Sequence, residues 1–102
     1  MLAEFSVVPM GKGAHLSKEV AKAIQVVRES GLDYQLTALG TLIEGERKEV
    51  LKVIEKAHQV LLETSERVYT RIVLDEFQKE TPGRIRSKVT KIEKELGVTL
   101  KK

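Results

Sequence analysis

The chain has 102 residues, 41% hydrophobic and only 4% aromatic, with a net charge of +3 and no cysteine or tryptophan. That length supports a single two-layer domain over residues 1–102 with a mostly aliphatic core. The missing cysteines exclude disulfides, cysteine nucleophiles and thiolate metal sites and fit a reducing compartment, read as the cytoplasm. No apolar run approaches a membrane span, and MLAEFSVV at the start, with a glutamate and no basic region, does not read as a signal peptide.

In chain order, residues 2–9 alternate, with Ala3, Phe5 and Val7 facing one way and Glu4 and Ser6 the other, as in a half-buried strand closed by Pro9. Ser17 is a candidate N-cap for a helix through about Ser30, carrying Leu16, Val20, Ile24 and Val27 as its apolar stripe. Gly31 supplies its stop. Residues 34–44 are rich in strand formers and broken by Gly40. They read as two short strands in a hairpin or as one strand with a glycine bend.

A second helix is predicted from about Glu46 to Glu63, its stripe running through Val50, Val53, Ile54, Ala57, Val60 and Leu61. Residues 67–77 form a long strand. Thr81-Pro82 reads as a helix start, and Ile85, Val89, Ile92 and Leu96 carry that helix to Gly97. The order β-α-β-β-α-β-α predicts an α+β, ferredoxin-like split βαβ sandwich: a four-stranded antiparallel sheet, two helices on one face, and an additional C-terminal helix.

Two helices cover one face of such a sheet. The other face should present Glu4, Ser6 and Val8 beside Tyr69, Arg71, Val73 and Asp75, together with Thr37 and either Thr41/Ile43 or Leu42/Glu44, since a one-residue slip at Gly40 reverses the parity. This mixed polar and apolar surface, next to a long β-branched strand at a sheet edge, predicts self-association.

Several chemistries can be set aside on spacing alone. The loop PMGKGAHLS has glycines around Lys12 but neither the G-x-x-x-x-G-K-[ST] nor the G-x-G-x-x-G pattern, so it is not a nucleotide-binding loop. His15 and His58 stand far apart with no metal-binding spacing, and surface positions are expected for both. No catalytic triad or paired-carboxylate dyad is legible, so an enzyme is not expected. An RNA-recognition surface would display stacking aromatics on its central strands; GTLIEG has none, and Phe5 falls on the helix side. The basic end, with eight Lys/Arg against three Glu over residues 79–102, has a solvated helix face as its simpler reading and nucleic-acid binding as the weaker one.

Gly40-Thr41-Leu42-Ile43-Glu44-Gly45 ahead of an amphipathic helix, and Ser6-Val7-Val8-Pro9-Met10-Gly11 after the first strand, resemble the motifs of the thiamine-binding family of small ferredoxin-like proteins. The element order and the trailing RVYTRIVLDEF strand extend the resemblance over nearly the whole chain. It implies non-enzymatic binding of thiamine or its hydroxymethylpyrimidine part, with no cofactor and no metal. It also implies a homo-oligomer, a tetramer built as a dimer of dimers, without membrane or nucleic-acid partners.

For an aminopyrimidine, Glu44 could accept from the amino group or a protonated ring nitrogen. Ser6, Thr37 and Thr41 would offer hydroxyls, Gly40 a close backbone approach, and Met10 a thioether wall. Glu44 has a second reading as a charge favoured at the start of the following helix. The alternative from another class is a homo-oligomeric regulatory or protein-interaction module with no vitamin ligand.

Overall fold

The computed structural model describes residues 1–102 throughout. Its elements are β1 (Leu2–Pro9), α1 (Leu16–Glu29), β2 (Asp33–Leu36), β3 (Thr41–Glu44), α2 (Arg47–Leu62), β4 (Val68–Asp75) and α3 (Arg84–Leu96), with a single 3-10 turn at Gly13–His15. All strand pairs are antiparallel in the order β2-β3-β1-β4. The ferredoxin-like α+β sandwich is therefore the fold.

The period-two pattern of β1 sets which side is buried. Ala3, Phe5 and Val7 are buried, and Glu4 and Val8 are exposed. α1 and α2 pack together over the buried side and contribute Val27, Val50, Ile54 and Leu61 to one aliphatic core with Phe5 and Ile43. Each such side chain contributes about 1.5–3 kcal/mol by leaving water. Ala23 and Ala57, fully buried, give each helix a small residue in that core.

Register resolves the parity around Gly40. Glu4 pairs with Leu42 and Leu2 with Glu44, while Phe5 pairs with Thr41 and Ala3 with Ile43. Leu42 and Glu44 therefore share the open face with Glu4, and Thr41 and Ile43 point to the helices. The region 34–44 is a hairpin. Its turn is closed by the Thr37 amide donating to the Gly40 carbonyl at 2.8 Å, and the Thr37 hydroxyl donates to the same oxygen at 2.8 Å.

Two helix starts differ from expectation. Ser17 lies inside α1, which is entered through the 3-10 turn and has no side-chain cap. α3 begins at Arg84, not at Thr81-Pro82. Gly83, at φ 82°, turns the chain in, and the Glu44 carboxylate receives the Arg84 amide at 3.0 Å and the Ile85 amide at 3.2 Å. A remote carboxylate thus satisfies two of the open amides and favours the positive helix end.

α3 lies on the open face over β3. Ile85 is buried, but Ile92 is 43% and Leu96 61% exposed, so the distal half leaves the body. The Cα radius of gyration, 15.1 Å with extents of 47 × 29 × 20 Å, exceeds the ~13 Å of a compact chain this long.

Candidate functional site

β1 is longer than its partner on one side. Leu2–Phe5 pair with β3, but Ser6–Pro9 pair only with β4. The backbone groups of this half-strand that point away from β4 meet no strand. The gap is bounded instead by the 37–40 turn and the first turns of α1, forming a recess of about 240 Å3.

Nine of its 13 lining residues are hydrophobic, among them Phe5, Val7, Leu16, Val20 and Ile24; Ser6, Thr37, Gly40 and Thr41 complete the polar and backbone lining. On the open face, a second hollow of about 220 Å3 is lined by Glu4, Ser6, Leu39, Arg71 and Val73 and shares Phe5, Ser6 and Leu39 with the first. Leu39, at the rim of both, is 89% exposed.

Four of the six residues singled out in the sequence thus converge on one recess, with differing freedom to act. Ser6 is half-buried and is the hydroxyl free to meet a ligand. The Thr37 hydroxyl is occupied by its own turn, donating to Gly40 and accepting the Gly40 amide at 3.2 Å. Thr41 is 3% exposed on the helix side.

Gly40 allows a close approach, but to β1 itself. A Cβ there would stand 2.9 Å from the Phe5 carbonyl oxygen and 3.5 Å from Glu4 Cγ. The residue that lets the turn press against β1 therefore also brings the Glu4 side chain alongside.

Met10 and Glu44 lie elsewhere. Met10 is 39% exposed beyond the end of β1, its amide donating to Arg67 at 2.8 Å. Glu44 sits at the opposite end of the sheet, in an acidic hollow of about 470 Å3 with Asp33, Glu46, Glu76 and Glu80. Most of these carboxylates have cationic partners already. Glu76 meets Arg47 and Asp33 meets Arg86, both at 2.7 Å, and Glu80 lies 3.5 Å from Arg84. The Arg47 hydrogen bonds hold the Glu76 carboxyl below its ordinary range. With Glu44 spent on α3, this hollow has little charge left for a cation.

Glu4 and Arg71, the charged groups beside Ser6, were legible as open-face residues from the alternation of their strands. Their place at a site was not, because it depends on how far β3 extends.

Two other polar groups are engaged within the fold, and the second of them, His58, departs from the surface position expected of it. Lys12 donates to the Thr64 carbonyl at the end of α2, which ties down the glycine-flanked loop. His58 is half-buried, its Nδ1 2.6 Å from the Thr70 hydroxyl of β4. Nearby, hydrogen bonds from the Thr64 hydroxyl and Lys22 hold the Glu19 carboxyl below its usual value.

A family model described as "Thiamine-binding protein" matches residues 3–93. The chain belongs to this family. It is 41% identical over 76 residues to a UPF0045 protein of Methanocaldococcus jannaschii, covering 74% of this chain and 76% of that relative. A domain of unknown function from Bacillus cereus superimposes with a TM-score of 0.78 at 36% identity, covering 92% of this chain and 90% of its own.

The crystal structure of a putative thiamine biosynthesis/salvage protein from Thermotoga maritima gives a TM-score of 0.79 at 22% identity, covering 89% and 96%. It shares the thiamine-binding family's fold with this chain. No helix is long and apolar enough to cross a membrane.

Proposed function

We propose that the chain binds thiamine by its aminopyrimidine ring, or free hydroxymethylpyrimidine, in the recess between β1, α1 and the 37–40 turn, without catalysing a reaction. The observation that carries this is convergence: in a chain of the thiamine-binding family, four residues selected from sequence line one mainly apolar recess. At about 240 Å3 it lies below the usual ~300–1,000 Å3 of small-molecule pockets, a size suited to one flat ring.

Aliphatic walls would cover the ring faces, the Ser6 hydroxyl would meet a ring nitrogen, and Glu4, in the open-face hollow that adjoins the recess at Ser6, would accept from the amino group or a protonated nitrogen at the ring's edge. The rest of thiamine would extend over the open face. The ligand pool is taken to be cytoplasmic, in keeping with a chain without cysteine.

Titration calorimetry with hydroxymethylpyrimidine, thiamine and thiamine phosphates tests the proposal. Binding of at least the first two at sub-millimolar concentration is expected. A well-folded protein that binds none of them sinks the vitamin reading and leaves the interaction-module reading in its place. That second reading has its own support in β4, an eight-residue edge strand with Tyr69, Ile72, Val73 and Leu74 each 46–57% exposed, a surface suited to self-association.

A further inference from the structure

Arg71 is the one cation lining the open-face hollow, and no carboxylate neutralises it. Arg47, Arg84 and Arg86 each meet a carboxylate at 2.7 Å, whereas Arg71 is in no ion pair. Glu4 is within reach of it. Register sets Arg71 directly opposite Ser6 and Glu4 opposite Val73, so the two charges are diagonal neighbours, about 7–8 Å apart at Cβ.

They stay apart because they lean in different directions. The Glu4 side chain lies toward β3, its Cγ 3.5 Å from where a Cβ on Gly40 would stand, and Arg71 comes in from β4. Ser6 is flanked by a negative charge on the recess side of β1 and a positive charge on the β4 side.

This polarity acts on a ligand only if the recess takes an aminopyrimidine ring, as proposed above. In hydroxymethylpyrimidine the amino group and the hydroxymethyl group stand on adjacent ring carbons. A ring seated in the recess with its amino edge at Glu4 sends that methylene past Ser6 and over the hollow, toward Arg71. A free hydroxyl there leaves the guanidinium without an anion. The thiazolium of thiamine sets a cation against a cation. A phosphate offers two oxygens to the planar guanidinium fork.

We propose that the open-face hollow is a phosphate subsite anchored by Arg71, and that the preferred ligand is the phosphate ester of hydroxymethylpyrimidine rather than thiamine. Leu39, 89% exposed at the rim of both cavities, is covered where the methylene crosses from one to the other.

Titration calorimetry of the parent, Arg71→Gln and Arg71→Lys proteins tests this, with hydroxymethylpyrimidine, its phosphate ester, thiamine and thiamine phosphate as ligands. In the parent the ester should bind about tenfold or more tighter than hydroxymethylpyrimidine, as a charge-assisted hydrogen bond supplies. That advantage should shrink as salt rises, because the pair is open to solvent. Arg71→Gln should bring the ratio of the two affinities close to one, while Arg71→Lys, which keeps the charge and loses the fork, should retain part of it.

An ester that binds no tighter than hydroxymethylpyrimidine overturns the phosphate subsite and leaves the recess reading standing. An advantage that survives Arg71→Gln overturns the assignment to Arg71. Thiamine or thiamine phosphate binding as tightly as the ester overturns the choice of ligand. If the well-folded parent binds none of the four, the recess reading fails and the subsite falls with it.

Discussion

Glu44 ends β3 and closes on the first amides of a helix whose residues lie 40 and 41 positions later. Replacing it with alanine leaves two helix-start amides without that acceptor. By comparison with lost N-caps, a destabilisation of about 1–2 kcal/mol is expected in urea unfolding. Hydroxymethylpyrimidine affinity should change little, because Glu44 lines neither the recess nor the hollow that adjoins it and sits at the opposite end of the sheet. Glu4 and Ser6 should behave in the opposite way. Glu4→Gln should weaken hydroxymethylpyrimidine binding about tenfold or more, and Ser6→Ala about three- to tenfold, with melting temperature nearly constant; calorimetry and thermal unfolding on the same samples check both. Gly40→Ala forces a Cβ to 2.9 Å from the Phe5 oxygen and should cost about 1–3 kcal/mol in urea unfolding. At this scale the motif around Gly40 was readable as important, but its residues divide between strand packing, turn closure and helix capping. Chemistry alone does not distinguish a carboxylate that meets a ligand from one that meets a backbone, and Glu4 and Glu44 differ only in what the fold sets beside them.

The elements were legible where the pattern was local. β1 alternates over its full length, and α2 repeats its apolar stripe closely enough to place its ends within a residue or so. α3 was legible in its body and misplaced at its start, because its cap comes from β3 and not from Thr81. The hairpin's parity was ambiguous for a related reason: it depends on pairing with β1, which no window of the hairpin contains. Links between elements should show in acid. Arg47 at the start of α2 holds Glu76, just past β4, and lowers its carboxyl from the ordinary value of 4.5. The unfolded chain therefore takes up this proton at higher pH than the folded one does. The stabilisation is present above about pH 4.5 and is lost as pH falls through the lower folded value. The pair is solvent-exposed, so its share is small and screened by salt. Glu76→Gln should flatten the fall in melting temperature from neutral pH to about pH 3.5, more clearly at low ionic strength, as followed by circular dichroism.

At the scale of the whole molecule, the fold class was readable from element order, because two helices between four strands leave few arrangements with short, right-handed connections. The location of the recess was not, since it exists only where β3 stops short of β1. That shortfall has a further consequence. The chain keeps a seam unzipped in the middle of its sheet, and two more residues in each hairpin strand could close it with backbone hydrogen bonds. A variant so lengthened, with the same turn, should unfold at a higher temperature and lose hydroxymethylpyrimidine binding together. The cavity is then an unfinished sheet, kept open at a cost in stability by the length of one hairpin.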